Sequence, residues 1–99
     1  MADVRIQRLA NVLVDYACDV KPGMWVGILG DVATLPALRA VYAEVLKYGG
    51  NPSVFISDEA MTRHFAREAN DDQIAWLDPS MSLYYDKADI YIRIGSSNN

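Results

Sequence analysis

Side chains that commonly do chemistry are scarce in this sequence. There is one cysteine, Cys18, and one histidine, His64. A lone cysteine forms no internal disulfide, which fits a reducing compartment, and its place on an apolar helical stripe points to a buried, unreactive thiol. A lone histidine leaves the helical metal pair H-E-x-x-H without its second imidazole. His64-Phe65-Ala66-Arg67-Glu68 offers only a histidine and a glutamate one turn apart, which reads as a surface pair. Basic residues are in deficit, 9 Lys and Arg against 13 Asp and Glu, for a net charge of -4. With its acids scattered along the chain, the sequence has no basic footprint for nucleic acid. No apolar run approaches the ~20 residues of a membrane span, and the opening Met-Ala-Asp-Val-Arg-Ile has no signal-peptide core. A soluble, cytoplasmic protein without nucleic-acid or membrane partners is expected.

What is present is a chain of one-domain size, 99 residues with 52% hydrophobic content. Such a chain buries roughly two thirds of its unfolded surface. Its centre is Met24-Trp25-Val26-Gly27-Ile28-Leu29-Gly30-Asp31, an almost unbroken apolar run that predicts a strand covered on both faces. Apolar residues Leu35, Leu38, Tyr42, Val45 and Leu46 then recur at helical spacing within Val32 to Tyr48. Gly49-Gly50-Asn51-Pro52 stops that helix before a second run, Val54-Phe55-Ile56. Strand, helix and strand make a βαβ unit, whose chemistry ordinarily sits at the carboxyl ends of the strands. Here those ends are Gly30-Asp31 and Ser57-Asp58.

Before this unit, Asp3 predicts the cap of a helix whose apolar side runs Ile6, Leu9, Leu13, Tyr16 and Val20. Lys21-Pro22-Gly23 is a turn into the central strand. After the unit, Ser57-Asp58-Glu59 starts a helix over Ala60 to Ala69, with Ser57 as its cap. Asn70-Asp71-Asp72 breaks and re-caps the chain ahead of a short apolar turn, Gln73 to Leu77. A helix from Ser80 to Lys87 brings Met81, Tyr84, Tyr85 and Ala88 to one side. The last strand, Asp89 to Ile94, alternates. Ile90, Ile92 and Ile94 share one face and Tyr91 and Arg93 the other, which predicts one less covered side. The fold class expected is α/β, a three-layer α/β/α arrangement on a short, mainly parallel, incomplete sheet. Because Gly95-Ser96-Ser97 ordinarily begins a loop into a next helix, residues 1–99 are expected to be the N-terminal piece of a longer protein.

No catalytic constellation is legible. Gly27-x-x-Gly30-Asp31-Val32-Ala33-Thr34 is neither the dinucleotide fingerprint nor a P-loop, so Gly30 reads as a turn residue and Asp31 or Thr34 as a helix cap. The neighbouring acids Asp58-Glu59 and Asp71-Asp72 diverge on a helix and read as caps, not as an acid–base dyad. Tyr84, Tyr85, Trp76 and Phe65 read as core or as a covered domain interface.

Taken in order, Leu9 to Tyr16, the turn Val20 to Val26, the helix Leu35 to Tyr48 with Gly49-Gly50-Asn51-Pro52, the strand Ser53 to Ile56 and the strand Asp89 to Ile94 resemble one family. It is the N-terminus of the thermophilic metallo-aminopeptidases, of the aminopeptidase T and aminopeptidase S type. The resemblance spans nearly the whole chain, and order and spacing carry it. It implies a two-domain, homodimeric exopeptidase that releases N-terminal amino acids from peptide substrates. It also implies a pair of divalent metals (zinc, cobalt or similar) held by Glu, His, Tyr and Asp of a C-terminal catalytic domain. Those ligands would lie beyond Asn99, so no catalytic, cofactor-binding or metal residue is assigned to this chain, and the fragment alone is expected to be inactive. Trp25 departs from the polar or small residues common at its position, which leaves the packing of that strand open. The alternative is a free-standing α/β ligand- or nucleotide-binding module of flavodoxin-like layout, using the Gly30-Asp31 end of the sheet.

Overall fold

The computed structural model describes residues 3–95. The segment Ser96 to Asn99, expected to lead towards a further helix, lies outside the described residues, as do Met1 and Ala2. Three strands, β1 (Trp25–Asp31), β2 (Asn51–Ser57) and β3 (Ile90–Arg93), form a parallel sheet in the order β2-β1-β3. The apolar central run thus becomes the middle strand. Both outer strands are open edges among the described residues. Register pairs Leu29 with Phe55 on one side and with Arg93 on the other, and pairs Asp31 with Ser57.

Alternation along each strand sorts the residues between two faces. Val26 and Ile28 of β1 and Ile92 of β3 lie in the main core, under helix α1 (Val4–Asn11), its π-helical continuation Val12–Ala17 and helix α2 (Leu35–Lys47). Val14, Val41 and Val45 meet them from the helices. Each such side chain contributes roughly 1.5–3 kcal/mol by leaving water. The opposite face is covered by helix α5 (Pro79–Lys87), whose Tyr84 is 0% exposed. Tyr84 meets Phe55, Tyr91 and Tyr85 edge-on at ring-centroid distances of 4.7, 5.1 and 5.2 Å. The three-layer α/β/α expectation holds, with the second helical layer thin.

The helical stripes differ from their expected phase. Leu9 and Tyr16 point outward, 70% and 86% exposed, while Ala10 and Val14 turn inward. Ala10 lets α1 approach α2 closely, and the π-helical stretch, marked by the Cys18 N–H bonded to the Leu13 carbonyl at 2.9 Å, moves the following side chains out of a 3.6-residue repeat. Val20 is buried as expected, although it lies past the helix end, after Asp19 takes a positive φ of 51°. In α2 the inward residues are Leu38, Val41 and Val45, and Tyr42 and Leu46 face out. The expected 32–48 helix begins with a separate 3-10 turn, Val32–Thr34.

Of the expected caps, Asp58 and Asn70 serve and Ser57 does not. Helix α3 (Glu59–Glu68) is capped by Asp58, which accepts from the Met61 N–H, because Ser57 instead donates across the sheet to the Gly30 carbonyl at 3.3 Å. The short helix α4 (Asp71–Ala75) is capped by Asn70, in a reciprocal box with Gln73. Neither α3 nor α4 has a buried residue. Their projection agrees with a radius of gyration of 15.1 Å, against about 13 Å for a compact chain of this length.

Trp25 finds a specific place in β1. Its indole N–H donates to Ser53 Oγ on β2 at 2.8 Å, and its backbone N–H donates to the Asp89 carboxylate at 2.8 Å.

Candidate functional site

The three parallel strands end on the same side, and an open cleft of about 830 Å³ lies there. Gly30 and Asp31 come from β1, Ser57 from β2, Arg93 and Gly95 from the end of β3, and Met81 and Tyr85 from α5. The first three are the strand ends that the sequence points to. Asp58 is not in the lining, because its carboxylate is turned to the α3 N-terminus. Arg93 and Tyr85 join the cleft without being expected there. The usable signal is the β3 alternation, which places Arg93 on the face that only α5 covers.

The turn that presents Asp31 is held by Thr34, whose hydroxyl accepts from the Asp31 N–H at 3.1 Å and donates to the Asp31 carbonyl at 2.9 Å. Gly30, expected as a turn residue, has no positive φ. It is glycine for space, since a Cβ there would come within 2.7 Å of Thr34 Oγ1 and 2.9 Å of Leu38. Asp31 Oδ1 is buried without a hydrogen-bond partner among the described residues. Arg93 is exposed and reaches the Tyr85 hydroxyl at 3.4 Å. Neither Asp31 nor Arg93 takes part in an ion pair among the described residues.

Beneath the cleft, burial pushes the Tyr84 phenol up to about 12, with Tyr85 and Tyr91 adding to the shift and Arg93 opposing it. Its hydroxyl, too, lacks a partner among the described residues. Tyr84 therefore stays neutral and serves packing.

The remaining candidates do not converge. Cys18 is half-buried, and desolvation raises its thiol pKa, which suits an inert side chain. His64 and Glu68 lie exposed beside a hollow with Phe65 and Trp76, and the ion pair on that helix is Arg63 with Glu59 at 2.7 Å. Of the aromatic residues read as core or interface, Tyr84 alone is core. Phe65 is 52% and Trp76 65% exposed. Among the described residues no three His, Cys, Asp or Glu side chains converge as a metal site, and no helix is long and apolar enough to cross a membrane.

Comparison with known proteins adds what this geometry lacks. The family model described as thermophilic metalloprotease (M29) matches residues 2–99. Among solved structures, wild-type AmpT from Thermus thermophilus is similar in fold, with a TM-score of 0.71 at 13% sequence identity. The likeness covers 97% of this chain and 25% of the AmpT chain. Among curated protein sequences nothing matches.

Proposed function

Since the chain belongs to the thermophilic metalloprotease (M29) family, we propose that residues 1–99 form the N-terminal scaffold domain of a metal-dependent aminopeptidase. The family match across residues 2–99 carries this reading. The AmpT likeness supports it, since this chain accounts for a quarter of that chain's length. The parent enzyme would release N-terminal amino acids from peptides in the cytoplasm, as a homodimer. Its metal pair would polarise the scissile carbonyl and lower the pKa of a bound water. The described residues do not fit that metal, because no set of three ligands converges among them. This chain's own part is structural: it presents a rigid sheet, and its α3 and α4 apolar side chains face the C-terminal catalytic domain.

The test compares two proteins on an aminoacyl anilide. The 99-residue chain is expected to release no aniline with zinc, cobalt or manganese. The parent protein is expected to do so and to lose the activity to a chelator. Metal-dependent turnover by the short chain would overturn the scaffold role. A parent without metal-dependent activity would overturn the aminopeptidase.

A free-standing nucleotide-binding module is the second reading, drawn from the cleft. Asp31 weighs against it, because a carboxylate among the residues lining the cleft disfavours phosphate there. Saturable heat on titrating nucleotides or flavins would restore it.

A further inference from the structure

The open edges of the sheet are unequal. On β2, Asn51 gives its N–H inward to the Met24 carbonyl at 2.7 Å, so alternation turns residues 52, 54 and 56 outward, and the first of these is Pro52. A proline there withholds an N–H from any strand that would add, a common guard on natural edges. On β3, Ile94 gives its N–H inward to the Leu29 carbonyl at 2.8 Å. By the same alternation Tyr91 and Arg93 turn their N–H and C=O groups outward. Nothing among the described residues bonds these outward groups, and no proline guards them.

The strand at this edge is complementary to itself. Set antiparallel against a second copy, about a two-fold axis at Ile92, Ile90 faces Ile94 and Tyr91 faces Arg93, so each outward N–H meets an outward C=O. The isoleucines lie on the face under α1, where Ile94 borders an apolar hollow of about 170 Å³ with Ile6, Leu9 and Leu13. On the α5 face the exposed Arg93 guanidinium meets the Tyr91 ring of the other copy, 44% exposed, as a cation over an aromatic face. Within its own chain Arg93 has only the Tyr85 hydroxyl, at 3.4 Å, which leaves it free to turn outward. Moving the axis to Arg93 would set guanidinium against guanidinium. Moving it to Tyr91 would set Arg93 against Asp89, whose N–H and carboxylate are both engaged by Trp25. Charge and hydrogen bonding thus select one register.

We propose that β3 is a self-association edge: two copies of this chain join there into one continuous sheet, Tyr91 of each across from Arg93 of the other. The contact is isologous, so each favourable pair occurs twice. A short strand with its flanking side chains makes a small interface, which predicts an exchanging dimer with a dissociation constant of about 100 μM. The assignment rests on this edge and stands apart from the aminopeptidase reading, so failure of either leaves the other in place.

The experiment is sedimentation equilibrium of the 99-residue chain from about tenfold below to about tenfold above that concentration, with amide exchange measured at both ends of the range. A monomer–dimer equilibrium is expected. Exchange at the Tyr91 and Arg93 amides is expected to slow as concentration rises, while Val54 and Ile56, outward on β2, exchange alike throughout. Arg93→Pro gives β3 the guard that Pro52 gives β2, and is expected to leave monomer only. Arg93→Gln keeps the N–H and loses the cation, and is expected to weaken association about tenfold, since the axis removes the contact twice. Trp76→Ser, on a distant exposed surface, is expected to leave association unchanged. A monomer at every concentration would overturn the proposal, as would a dimer whose Tyr91 and Arg93 amides exchange freely, or one lost to Trp76→Ser. Exchange on the unaltered chain decides the matter if a variant fails to fold.

Discussion

The ring of Tyr84 lies on the backbone of Gly27, so close that a Cβ built on Gly27 would stand 1.4 Å from a ring carbon. A helix-borne aromatic and a strand glycine thus lock α5 to the middle of the sheet. Gly27→Ala is expected to push the ring aside and to destabilise the chain by about 3 kcal/mol, the upper range for overpacking. Urea denaturation, read as a fall in midpoint with unchanged slope, measures it.

The Tyr84 hydroxyl sets a second expectation. Its pKa is about 12 in the folded chain against the ordinary tyrosine value of 10.0, so the folded state disfavours the phenolate. The associated stability is fully present below pH 10 and is lost as pH rises from 10 towards 12. Tyr84→Phe removes an unpartnered buried hydroxyl. It is expected to raise stability by about 1 kcal/mol at neutral pH and to flatten the alkaline decline. Thermal melts of both proteins from neutral to alkaline pH show either result.

Helices α3 and α4 rest on their caps, because neither buries a residue. Asp58→Ala and Asn70→Ala each remove about 1 kcal/mol of capping. The loss is expected as faster amide exchange confined to 59–68 or 71–75, with the global unfolding midpoint unmoved. A matching fall in global stability would show that these helices pack more firmly on the sheet than their exposure indicates.

Phe65 on α3 and Trp76, just past the end of α4, are large, exposed apolar side chains, and the proposed scaffold role would turn them towards a catalytic domain. Phe65→Ser and Trp76→Ser are expected to lower the binding of a hydrophobic dye by the isolated chain while changing its stability by less than about 0.5 kcal/mol. In the parent protein the same changes are expected to lower thermal stability by about 2 kcal/mol or more, since large apolar side chains would then leave a buried interface. Differential scanning calorimetry of chain and parent separates the two cases.

Much of the architecture was legible in the residues. The apolar run at Trp25 to Asp31 marked the central strand, Gly49-Gly50-Asn51-Pro52 the break before β2, and Ile90, Ile92 and Ile94 the covered side of β3. These signals are local: strand alternation and turn chemistry act between near neighbours and survive in a one-dimensional reading. The carboxyl ends of β1 and β2 followed from them, and with these two edges of the cleft.

Tertiary structure decided the rest. Helix phase in α1 depended on Ala10 fitting under α2 and on the π-helical stretch, neither of which is a matter of hydrophobic spacing. Ser57 gave its hydroxyl to the Gly30 carbonyl because β2 lies beside β1, which left Asp58 to cap α3. Gly27 has an ordinary backbone conformation; its missing side chain answers a ring 57 residues away in sequence, as the numbering of Tyr84 shows. Arg93 and Asp31, 62 residues apart by the same numbering, share a cleft only because the chain crosses back to lay β3 along β1. Periodicity and turns are set by the covalent neighbourhood of each residue, whereas close approach, hydrogen-bond choice and the meeting of charges are set by which strand the chain pairs with next.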